Sequence, residues 1–104
     1  MTTYQFKTNS NAAPFCSDTY SGFINADTPM DALRMVVKYY SHPAGLYSAT
    51  IHECSPENKL LARFLSSKAN TSVKAGAGVH QYKAGELYVN DVKAPVLPEV
   101  YEEL

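Results

Sequence analysis

The chain has no tryptophan, only two cysteines, no large surplus of either charge and no long apolar run. A membrane-crossing helix needs roughly 20 consecutive apolar residues, and no stretch of the sequence approaches that. Nine Lys and Arg stand against ten Asp and Glu, and the basic residues are scattered. No electrostatic footprint for duplex nucleic acid or anionic lipid results, so neither is indicated as a partner. Two cysteines, Cys16 and Cys54, are too few for a disulfide framework and are expected to be free thiols. The opening residues MTTYQFKTNSN hold one Lys and no apolar core, so no secretory signal is expected and the expected location is cytoplasmic.

What is present is ordinary for a folded domain: 45% hydrophobic and 18% charged residues over 104 positions. Eight Tyr and four Phe supply rings with polar tips, suited to half-buried sheet positions and to binding surfaces. One domain is expected over residues 1–97, followed by an acidic tail, residues 98–104, that is expected to fray.

Alternation of Tyr4 and Phe6 with polar neighbours predicts a first strand over residues 3–8. Residues 9–18 are rich in turn formers and predict a loop. A second strand is expected over residues 19–27, with Gly22 marking a bulge or a close approach. Thr28 then suits an N-cap, Pro29 the first helical position and Asp31 the capping-box spacing. Met30, Leu33, Val36, Val37 and Tyr40 form one stripe of a helix over about residues 29–42, which His42 would cap at its negative end.

LYSATIHEC, residues 46–54, predicts a third strand, with Tyr47, Ala49 and Ile51 on one face and Ser48, Thr50, His52 and Cys54 on the other. Residues 56–68 admit two readings. Ser55-Pro56-Glu57-Asn58 suits a type I turn into a return strand, with Ile51 opposite Ala62 and Ala49 opposite Phe64. Ser55 also suits a helix cap, with Leu60, Leu61, Phe64 and Leu65 as a helical stripe. The hairpin is preferred because it gathers the apolar residues on one face. Residues 66–78 are small and polar and predict a loop, and turn signals at residues 83–86 and 90–91 predict a final hairpin or small meander.

The fold class expected is therefore α+β: a small, antiparallel-rich sheet of four to six strands, one main helix packed on one face, in the order β-β-α-β-β and then a terminal β-hairpin.

Acid-base and nucleophile sets are not legible. His52 and Cys54 share a strand face, whereas Glu53 points the other way and cannot orient the imidazole as a triad member would. A metal site from His52, Cys54, Cys16 and His80 lacks the two close ligand pairs that zinc sites show, so neither metal nor cofactor is expected. KAGAGVH, residues 74–80, completes no phosphate-loop pattern, although its amides and Lys74 suit a generic anion.

A single helix covers one sheet face, which leaves Ser48, Thr50, His52, Leu61, Arg63 and Leu65 on the other. The function expected is a non-enzymatic interaction or regulatory module. It would self-associate, as a homodimer, or bind a protein partner through the open sheet face or an edge, with Thr50, His52, Leu61, Arg63 and Leu65 as contacts. The alternative is a small-molecule or metal-binding protein, an enzyme included, that uses His52, Cys54, His80 and Lys74 beside the glycine loop.

Overall fold

A computed structural model of the chain describes residues 1–10, 19–40 and 45–104. Two hairpins and one helix make its main body. Strands β1 (Thr2–Ser10) and β2 (Thr19–Ala26) lead into helix α1 (Pro29–Tyr39), and β3 (Leu46–Glu53) and β4 (Leu60–Leu65) follow. Helix α2 (Ser67–Ala75) and the short strands β5 (His80–Lys83), β6 (Glu86–Val89) and β7 (Val92–Lys93) come next, and β8 (Val100–Glu103) ends the order. The larger sheet has five strands in the order β2-β1-β3-β4-β8, antiparallel throughout, and β5-β6-β7 form a second, three-stranded sheet.

The expected α+β architecture is observed, with α1 as the main helix on one face of the larger sheet. Thr28 caps α1 as its sequence dictates: its hydroxyl accepts the Asp31 N–H at 3.1 Å, and Pro29 opens the helix. Leu33 and Val36 are fully buried with Ala32, against Tyr4, Phe6, Ala49, Ile51, Ala62 and Phe64 of the sheet, while Met30 and Val37 pack around them. The helix runs to Tyr39, and the cap proposed for His42 lies outside the described residues.

The hairpin reading of residues 56–68 holds. Asn58 N–H donates to the Ser55 carbonyl at 3.0 Å, and Asn58 takes the left-handed φ of 51° that suits its position. Ile51 faces Ala62 and Ala49 faces Phe64, as the apolar pattern requires, and a bulge joins this register to a His52–Leu60 pair beside the turn. A second irregularity, between Asn9 and Ser10, sets Leu46 opposite Ser10; Leu46 is buried, whereas Tyr47, expected on the same face as Ala49 and Ile51, is half-buried.

Two expectations are corrected. Residues 66–78 are not simply a loop, because α2 occupies most of them. Ser66 caps it by accepting the Ala69 N–H, and the inward side is Ala69, Asn70 and Thr71 rather than an apolar stripe. Residues 98–104 do not fray either. Their backbone adds β8 to β4, with the Tyr101 ring 5.0 Å from that of Phe64 and the Leu104 N–H donating to the Leu61 carbonyl. The connection is held from α2: Asn70 Nδ2 donates to the Pro98 carbonyl, and Thr71 Oγ1 accepts the Leu97 N–H.

The expected terminal meander is β5-β6-β7, with Ala84-Gly85 and Asn90-Asp91 at positive φ in its two tight turns.

Candidate functional site

With α1 on one face of the larger sheet, the opposite face is read from the register. Side chains directly opposite one another share a face, so three rows cross the sheet. Phe23, Gln5, His52 and Leu60 make the first; Ser21, Lys7, Thr50, Arg63 and Glu102 the second; Thr19, Asn9, Ser48, Leu65 and Val100 the third. The structure thus brings the expected contacts Thr50, His52, Arg63 and Leu65 to one surface. Leu61 is the exception. It is the extra residue of the bulge and packs against the core, so it does not share that row.

Hydroxyls and amides dominate the middle of this face, and they bond among themselves. Asn9 Nδ2 donates to Ser48 Oγ at 3.2 Å, and Arg63 Nε donates to Glu102 Oε2 at 2.7 Å. His52 is held at both nitrogens: Nδ1 lies 3.1 Å from the Asn58 carbonyl, to which it must donate, and Nε2 lies 3.0 Å from Thr50 Oγ1. The apolar groups of the three rows are Leu60 beside His52, Leu65 and Val100 toward β8, and Phe23 on β2.

The residues of the alternative site are not brought together. His52 belongs to the larger sheet and His80 to the smaller, where its Nε2 donates to the Gly76 carbonyl at 2.9 Å. Cys54 is exposed just beyond β3, and Cys16 lies outside the described residues. Among the described residues no group of three or more His, Cys, Asp or Glu is placed to hold a metal ion. The glycine loop folds on its own chain: Asn90 Oδ1 accepts the Val79 N–H, and a side chain at Gly78 would meet Val89 and Asn90 at 2.9 Å. Lys74 is exposed near the end of α2.

The sheet edge presents residues outside the expected contacts. β2 is an outer strand eight residues long, TYSGFINA, without a charge or a proline, and its pairing to β1 is free of bulges. Among the described residues no strand pairs with its outer side. Phe23 is 68% exposed on the open face, and Tyr20 is 48% exposed on the helix face. Gly22 marks a close approach rather than a bulge: a Cβ there would lie 3.2 Å from the Phe6 ring, which in turn stacks on Tyr40 with centroids 4.6 Å apart. The uncharged composition of residues 19–26 was visible in the sequence. Their place at the edge follows from strand order, which no local pattern encodes.

Comparison with protein-family models, with curated proteins and with solved structures finds no match to this chain.

Proposed function

We propose that the chain is a non-enzymatic protein-interaction module that adds an extended segment of a protein to the β2 edge of its larger sheet. The observation that carries this reading is the edge itself. Native sheets guard their outer strands with charge, proline, bulges or brevity, because unpaired N–H and C=O groups invite another strand. β2 has none of these guards. Main-chain hydrogen bonds would supply the affinity, and the alternating side chains Phe23 and Tyr20, one on each face, would select what docks. The open face contributes less than its expected role, since its central groups are already bonded to one another.

A native mass spectrum of the protein purified without chelator tests the reading. The expected result is an assembly whose mass is accounted for by polypeptide alone. A monomer carrying zinc or a small organic mass, lost in His52→Ala and Cys54→Ser, would overturn it in favour of ligand binding.

A further inference from the structure

We infer that the occupant of the β2 edge is the same strand of a second copy, paired antiparallel about a two-fold axis; this rests on the interaction reading above. Three observations support a second copy over an unrelated segment.

The first is charge. A two-fold sets like residues near like, which repels wherever an edge carries Lys, Arg, Asp or Glu. Thr19–Ala26 contains no such residue, so self-pairing meets no charge repulsion along the strand.

The second is register. Even-numbered residues of β2 lie on the helix face and odd-numbered ones on the open face, as their β1 partners show. Directly opposite residues of an antiparallel pair share a face, so the axis has to pass through a residue and never between two. The two registers that pair the most of this strand put the axis at Gly22 or at Phe23. An axis at Gly22 sets Tyr20 opposite Ile24 of the second copy, an aromatic and β-branched pair made twice, with Phe23 opposite Ser21 and diagonal to its own counterpart. An axis at Phe23 sets the two exposed Phe23 rings directly opposite each other. Either way the most exposed ring of the strand is brought to the dyad and shielded from water.

The third is closure. Self-pairing at β2 makes one continuous sheet with both α1 helices on the same face, and leaves β8 at each outer end. β8 is four residues long and holds Glu102 and Glu103, so the assembly stops at two copies instead of growing into a fibre.

Sedimentation velocity over a range of protein concentrations tests this, with the intact chain and with Phe23→Lys. Phe23 is exposed, so the substitution leaves the core untouched, and circular dichroism and the thermal midpoint verify that the variant folds. The expected result is a dimer whose dissociation constant rises by about tenfold or more in Phe23→Lys, because two ammonium groups then meet near the axis. Val96→Lys, at an exposed position outside the sheets, should leave association unchanged.

Mild oxidation of a Cys16→Ser, Cys54→Ser protein then reads the register. Phe23→Cys alone forms the cross-link if the axis lies at Phe23, and Ser21→Cys together with Phe23→Cys forms it if the axis lies at Gly22. A protein monomeric at every concentration overturns the second copy. A dimer untouched by Phe23→Lys but dissociated by Leu65→Asp overturns the edge and leaves an interaction module that works through its face. A monomer carrying metal or an organic molecule overturns both readings.

Discussion

The two outer strands of the larger sheet, β2 and β8, meet the same problem of unpaired backbone and answer it differently. β8 is four residues long, carries two glutamates and is tied down along its length. Tyr101 packs its ring against Phe64, Glu102 accepts from Arg63, and the connection before it is hydrogen-bonded to Asn70 and Thr71 of α2. β2 is twice as long, uncharged and free of bulges in its pairing to β1, and it presents Phe23 to solvent. An edge of the first kind is protected against other strands, and one of the second kind keeps its pairing capacity. On the proposed reading, one sheet holding both is directional: it would extend on the β2 side and stop on the β8 side.

The comparison breaks first at Gly22. Adding a branched side chain there drives it into the Phe6 ring, which also packs against Tyr40. Overpacking of this kind costs about 1–3 kcal/mol. Gly22→Val should lower the urea midpoint accordingly, without a change in the denaturant slope. An unchanged midpoint would mean that Phe6 moves aside freely and that the close approach at Gly22 is not needed for stability.

A smaller effect is expected at the opposite edge. Asn70→Ala removes the donor to the Pro98 carbonyl, a loss of about 1 kcal/mol for one hydrogen bond. Amide hydrogen exchange should locate the loss, with faster exchange in β8 and none of the change in β2. Equal acceleration in both strands would show that the two edges open together and are not separately anchored.

This pair of predictions also marks where the sequence was readable. β1, β2, α1, the β3–β4 hairpin and the terminal meander follow from alternation, from the Thr28-Pro29 cap and from turn residues such as Asn58, because each is specified locally. α2 was hidden because its buried side is Ala69, Asn70 and Thr71, a set that reads as loop composition until the 97–98 backbone is found beside it. β8 was hidden for the same reason: the acidic VYEE has meaning as a strand only once β4 offers it an edge. Of the candidate contacts, Thr50, His52, Arg63 and Leu65 follow from simple alternation along β3 and β4, and Leu61 departs from it because a bulge turns one residue out of phase. Phe23 and Tyr20 needed the strand order, a property of the whole sheet.

The smallest effect on stability gives the sharpest separation of edge from face. Arg63 stands in the middle of the open face and pairs with Glu102, their side chains 44% and 39% exposed. An exposed pair of this kind contributes about 0.2–1 kcal/mol, and less as salt rises. Arg63→Ala should therefore lower the thermal midpoint slightly at low salt and not measurably at high salt. Its effect on assembly does not follow from that stability change. If the partner strand docks at β2, three strands away from Arg63, association should be unchanged in Arg63→Ala while Phe23→Lys weakens it. A variant equally stable but monomeric would instead put the contact on the face, with Lys7, Thr50 and Arg63 as its centre, and would leave the unguarded β2 edge without a role in assembly.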